Sequence, residues 1–108
     1  MPKPVFLGEF EQLLLLALLK IPDQPYAIRL RDEMNQLAGR PVVCGALYRT
    51  LDRLKQKGLV TWQTEPGGPE RRGHVKRRFA VTRKGRTMLR ASRDTLQTLG
   101  SEVAEALE

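Results

Sequence analysis

The chain has little of what most chemistry-bearing sequences carry. Among its 108 residues there is one cysteine, Cys44, one histidine, His74, and one tryptophan, Trp62. A lone cysteine excludes an internal disulfide framework and fits a reducing, cytoplasmic setting. One histidine without a cysteine pair leaves no recognisable metal-ligand set and no partner for acid–base work. Catalytic residues, a metal and a cofactor are therefore not expected. Phosphate loops of the nucleotide-binding kind are missing too, because Gly67-Gly68 opens no helix. The strongest apolar run, Leu13 to Leu19, is far too short to span a bilayer. The N-terminus lacks a basic segment followed by an apolar stretch and a small-residue cleavage site, so a cytoplasmic protein with no membrane partner is expected. There is no internal repeat and no low-complexity linker. The length fits one domain with one modest core.

Negative charge is scarce in one particular place. From Arg71 to Arg93 there are 10 of the 19 basic residues and no acid, in a chain whose formal net charge is +7. A charge run is usually a solvated face. This one crosses a strand and a helix start with nothing nearby in sequence to offset the repulsion, so it is read as a phosphate-binding ridge.

Periodicity supplies the elements. Residues 9–20, EFEQLLLLALLK, form a first helix, with Glu9 and Glu11 suited to the positive end of its dipole and Lys20 to the other. Its apolar residues lie on nearly every side, which implies a second buried face. Pro25 suits the first position of a second helix running through residue 38 and closed by Gly39. Val42-Val43 is read as a short strand. Leu47, Leu51 and Leu54 share one face of a third helix, residues 45–57, and leave Arg49, Arg53, Gln56 and Lys57 solvated; Gly58 ends it. Residues 59–81 then form a hairpin around the turn-forming run Glu65 to Glu70. In its second strand Arg77 interrupts an otherwise apolar row with Val75, Phe79 and Val81. Thr82 caps a last helix from residue 83 to near the end. Leu89, Leu96 and Val103, seven apart, with Ser92, Leu99 and Ala106, make an imperfect heptad seam that predicts a dimer interface.

This is a mostly α chain with a small β-hairpin (α+β), laid out as a winged helix-turn-helix with a long C-terminal dimerisation helix. The expected organisation is a flexible arm over residues 1–8, a DNA-binding domain over 9–82 and a dimerisation helix over 83–108. In such an arrangement one helix enters a DNA groove and the hairpin grips the neighbouring backbone. The start of the 45–57 helix, with Gly45, Ala46, Tyr48 and Arg49, and Arg53 a turn later, is expected to meet DNA. Arg49 and Arg53 can each pair bidentately with guanine. Arg71, Arg72, His74 and Lys76 of the wing can reach the backbone or minor groove. Arg83 and Lys84 occupy a first helical turn, where the dipole disfavours cations, a placement that makes sense if they face a phosphate. Cys44 is read as a small buried residue, with redox sensing as the alternative.

The segments LGEFEQLLLLALL, GALYRTLDRLKQKGLV and RRFAVTRKGR, followed by the terminal helix, resemble those of the PadR-like transcriptional regulators, in particular the short members with a single C-terminal helix. The resemblance runs from about Leu7 to the C-terminus. It implies a homodimeric winged-helix repressor on a pseudo-palindromic operator. The chain departs from that family's usual pattern at Cys44, where serine is common, and at Arg49 and Arg83, where proline is frequent. Some relatives sense planar ligands with aromatic residues of the last helix, and residues 83–108 contain none, so the sequence names no small-molecule effector. Two other readings compete: a winged-helix module for protein–protein contact, and a protein that coats nucleic acid without sequence preference.

Overall fold

A computed structural model describes residues 7–39, 41–67 and 75–108. Helix α1 (Glu9–Lys20) is followed by α2 (Ala27–Ala38) and α3 (Cys44–Gln56). A two-stranded antiparallel sheet of β1 (Val60–Glu65) and β2 (Lys76–Val81) comes next, then α4 (Arg83–Glu102). A 3₁₀ turn over Ala104–Leu107 follows, so the regular helix stops before the end expected from sequence.

One core joins all these elements. Leu14, Leu15, Ala17 and Leu18 of α1 pack with Leu30 and Met34 of α2, Leu47, Leu51 and Leu54 of α3, and Val60, Phe79 and Val81 of the sheet. Each fully buried leucine contributes about 1.5–3 kcal/mol relative to leaving it in water. The first helix buries Leu14, Leu15, Ala17 and Leu18 but exposes Leu16 and Leu19. Its apolar excess is thus split between the core and an outer surface.

Several expectations change in detail. Leu7, counted with the arm, is fully buried; its N–H donates to Ser92 Oγ (3.2 Å) and its carbonyl accepts from Gln12 Nε2 (2.8 Å). Residues 1–6 lie outside the described residues. Pro25 does not open α2, which begins two residues later after Tyr26. Instead the Pro25 carbonyl accepts the Phe79 N–H at 2.9 Å, so this loop pairs with the free edge of β2. Val42 is no strand: its N–H donates to Asn35 Oδ1 (2.6 Å) and its carbonyl accepts from Arg31 Nε (2.9 Å), which ties it to α2. Cys44 is exposed rather than buried. Arg77 keeps its place in the row with Phe79 because its guanidinium lies 4.9 Å from the Trp62 ring centroid, covering an apolar surface without being buried. Trp62 stands opposite Phe79 across the sheet, edge to face at 5.5 Å.

The turn that ends α3 is fastened to the start of α4. Gly58, in the left-handed region at φ 77°, closes α3. Thr82 Oγ1 donates to the Gly58 carbonyl (2.7 Å) and accepts from the Gly85 N–H (3.0 Å), so the expected cap is formed. The Thr82 N–H donates to the Leu59 carbonyl at 3.0 Å. A Cβ on Gly85 would collide with that same Leu59 oxygen, so only glycine lets the helix come this close. The spacing from Thr82 to Gly85 therefore encodes a weld between the third and fourth helices.

The first half of α4 belongs to the core of the domain. Gly85, Leu89 and Ser92 are buried on that side, whereas Leu96, Leu99 and Val103 are exposed. The apolar row of the helix is thus buried as far as Ser92 and exposed from Leu96 onward.

Candidate nucleic-acid interface

Helix α3 buries Leu47, Thr50, Leu51 and Leu54. At about 100° per residue, the ridge opposite that face is formed by Gly45, Arg49, Asp52 and Gln56. Arg49, Asp52 and Gln56 are exposed, and Gly45 is half-buried where the Arg49 guanidinium folds back over it. Ala46 is half-buried on the flank toward α1, and its carbonyl accepts from Thr50 Oγ1 at 2.8 Å. None of the described acids lies within ion-pairing distance of Arg49.

Arg53, expected beside Arg49 as a base reader, sits on the flank facing α1. Its Nε lies 3.5 Å from Glu11 Oε2, and Lys57 Nζ lies 2.9 Å from the same oxygen. Lys57 is thus an internal partner rather than a solvated residue. Glu11 Oε1 also accepts the Gly8 N–H at 3.1 Å. Burial pushes the Glu11 carboxyl upward, but the Lys57 ammonium, the Gly8 N–H and the Arg53 guanidinium outweigh it and hold its pKa below the usual carboxylate range. This buried acid fixes the reading helix against α1. A periodicity argument looks for apolar residues and so passes over it.

On the other flank, Tyr48 faces the wing. A cleft of about 440 Å³ lies between Tyr48, the α2 start at Tyr26, Ala27 and Ile28, and Val75, Lys76, Arg77 and Phe79 of the hairpin. Lys55 Nζ stands 4.4 Å from the Trp62 centroid, linking α3 to β1. Lys76, expected on phosphate, is already engaged: its ammonium lies 4.4 Å from the Tyr26 centroid and 3.7 Å from Glu65 Oε1. The Tyr26 hydroxyl donates to Glu65 Oε1 (2.6 Å) and accepts from Arg78 Nη1 (3.3 Å). That hydroxyl is the first cause of a lowered Glu65 pKa, acting against desolvation and with Lys76 and Arg78. The network stiffens the wing base. Arg71, Arg72 and His74 lie outside the described residues.

Lys84 is exposed but engaged. Its Nζ donates to the Lys57 carbonyl at 3.1 Å. The cation is misplaced for its own helix and well placed for the C-terminal end of α3, where carbonyls lack partners. Arg83 is exposed.

The basic run is not one ridge. Arg77 lies with Trp62 on the side of the hairpin that meets α3, and neighbouring residues of a strand face opposite ways. Arg78 and Ala80 accordingly line a separate groove with Leu19, Pro22, Pro25 and Arg86. Arg83, Arg86, Arg90 and Arg93 continue along α4, all exposed.

A second surface is apolar. Leu96 of α4 and Leu13 and Leu16 of α1, with Glu9 and Gln12, line a groove of about 320 Å³. Leu96 is 53% exposed, Leu99 56% and Val103 49%, a degree of exposure unusual for neighbouring large aliphatic residues. Leu89 and Ser92, the first members of the expected seam, are buried within their own domain, and Ala106 is exposed in the terminal turn. Among the described residues no group of three or more His, Cys, Asp or Glu could hold a metal ion. No described helix is long and apolar enough to cross a membrane.

The model of the transcriptional regulator PadR-like family matches residues 15–91. Solved structures share the fold. A PadR-like transcription factor from Bacteroides fragilis is 25% identical with a TM-score of 0.77, covering 92% of this chain and 90% of that one. A PadR family regulator from Eggerthella lenta is 24% identical with a TM-score of 0.70, covering 93% and 87%. A PadR-like regulator from Bacillus cereus is 18% identical with a TM-score of 0.72, covering 92% and 91%. No curated protein matches the sequence.

Proposed function

The chain belongs to the PadR-like family of transcriptional regulators, and from that premise we propose that it is a homodimeric repressor whose α3 reads duplex DNA through the ridge Gly45, Arg49, Asp52 and Gln56. The observation that carries this reading is the exposed guanidinium of Arg49 at the centre of the α3 surface, which makes no ion pair with a described acid within 4.0 Å. Arg49 supplies the bidentate donor for guanine. Gln56 can bridge adenine, and Asp52 can accept from a cytosine amino group. Tyr48 and Arg77, at the cleft between helix and wing, contact the backbone and set register. Arg53 acts mainly by holding α3 on Glu11.

The dimer forms through Leu96, Leu99 and Val103 of α4 against the Leu13–Leu16 surface of α1. Two copies then present two α3 helices, which is the geometry for a palindromic site. Because α3 is welded to α4 through Lys57, Gly58 and Leu59, the dimer contact also fixes the spacing of the two reading helices. A bound dimer covering a promoter represses by exclusion of polymerase.

The test is a binding titration on duplexes selected from the source genome and on scrambled duplexes, across a range of salt. Arg49→Ala should lose about 1–3 kcal/mol of discrimination between the two, with a smaller loss on scrambled DNA. Equal losses on both duplexes would contradict base reading. Gel filtration with light scattering reports the dimer.

A further inference from the structure

The α4 arginines are not used by the reading above. Arg83, Arg86, Arg90 and Arg93 follow one another at three, four and three residues, so they form a single stripe along the helix. All four are exposed. The stripe is about 15 Å long at helical rise. It lies about 120° around the helix from the row Leu89, Leu96, Leu99 and Val103. A dimer built on the apolar row therefore leaves it uncovered. Asp94 is the only acid from Arg83 to Ser101, and it makes no ion pair with these arginines within 4.0 Å.

Like charges three and four residues apart destabilise a helix, so the stripe works against the stability of α4. At its hairpin end, Arg86 lines with Arg78 a groove distinct from the cleft between α3 and the wing, and Arg78 Nη1 also meets the Tyr26 hydroxyl at the margin of that cleft. The stripe itself lies on α4, outside the ridge of α3 read as the operator contact. Guanidinium groups suit phosphate oxygens, which they meet with paired N–H donors. A row of them at regular spacing, without side chains positioned to read base edges, fits a phosphodiester backbone and carries no sequence preference.

We propose that the stripe Arg83, Arg86, Arg90 and Arg93, extended by Arg78, binds the backbone of a second duplex DNA segment, so that a dimer on its operator holds another stretch of DNA. This rests on the reading of α3 as the operator contact. The stripe gives that contact no added specificity. It gathers a neighbouring segment, and its strength falls with salt as counterion release requires.

The experiment uses the full chain and a triple variant, Arg86→Gln, Arg90→Gln and Arg93→Gln, which retains good helix formers. An immobilised duplex carrying a selected site is loaded with protein, and capture of a second, labelled, scrambled duplex is measured across salt. The wild type should capture it, with a salt slope about 0.9 steeper for each phosphate engaged. The triple variant should bind the immobilised site within about twofold of wild type yet lose about tenfold or more of the capture at moderate salt. Circular dichroism and light scattering check that the variant folds and associates like the wild type. Undiminished capture by the folded variant, or no capture by the wild type, overturns the second site. An equal loss on the immobilised site itself would show the stripe to be part of the operator contact, and overturns it as well. If Arg49→Ala abolishes site preference but capture through the stripe persists, the two readings are separated. A wild type that binds no duplex at all overturns both.

Discussion

Two glycines of α4 test the packing argument in opposite directions. Gly→Ala in a helix gains up to about 1 kcal/mol from reduced backbone freedom. At Gly100 a Cβ meets nothing within 4 Å, so Gly100→Ala should realise most of that gain. At Gly85 the Cβ would strike the Leu59 carbonyl oxygen and crowd Val81 Cγ1. That carbonyl cannot retreat easily, because it accepts the Thr82 N–H at 3.0 Å and the Leu59 N–H is held by the Leu54 carbonyl at 2.9 Å. Overpacking against a fixed backbone costs about 1–3 kcal/mol or more. The collision should win over propensity, leaving Gly85→Ala destabilised by about 2 kcal/mol. With an m-value of about 1–3 kcal/mol per molar urea, the unfolding midpoint should fall by about 1 M. Urea titrations followed by circular dichroism, at one protein concentration because association shifts the midpoint, would measure both variants. A Gly85→Ala protein as stable as the wild type would refute the weld between α3 and α4.

Three further outcomes follow from the same contacts. Glu11→Gln removes the carboxylate shared by Arg53 and Lys57; with both cations partly in solvent, the loss at neutral pH should be about 1 kcal/mol. Since the folded pKa of Glu11 is depressed, its contribution is present above the usual carboxylate pKa and disappears as pH falls through the lower folded value. The gap between variant and wild type should therefore narrow as the pH falls below the usual carboxylate range, and a gap independent of pH would count against the ion pairs. Asp52→Asn should raise affinity for every duplex by removing a charge that phosphates repel, while changing the preferred base at one position, as a binding-site selection would show. Leu99→Asp places a charge on the exposed apolar row and should shift the protein to monomer by light scattering; an unchanged mass would move the dimer contact elsewhere.

The sequence was most legible where a short-range rule suffices. The leucine spacing of α3, the Thr82 cap and the alternation of the second strand each depend on neighbours a few residues apart, and α3, β2 and the start of α4 lie within a residue or two of the expected positions. The same residues carried the family resemblance, and the family match covers them. Errors arose where a local signal had a distant partner. Pro25 suits a helix start by local rule, but its carbonyl serves as the acceptor for the Phe79 N–H. Ser92 fits a heptad seam by spacing, but within its own domain it is buried and its hydroxyl accepts the Leu7 N–H.

Charge shows the division most clearly. Composition and order alone determined that this protein is basic, that its basic residues cluster late, and that an amphipathic helix ends the regular structure. They could not say which cations are spent inside the fold. Tertiary structure decided that Lys57 and Arg53 meet Glu11, that Lys84 meets a carbonyl at the end of α3, and that Arg77 and Arg78 point to opposite sides of one strand. The reason is physical: helix and strand periods are fixed within a few residues of chain, whereas a charge finds its partner by distance in space, which only the packed core sets.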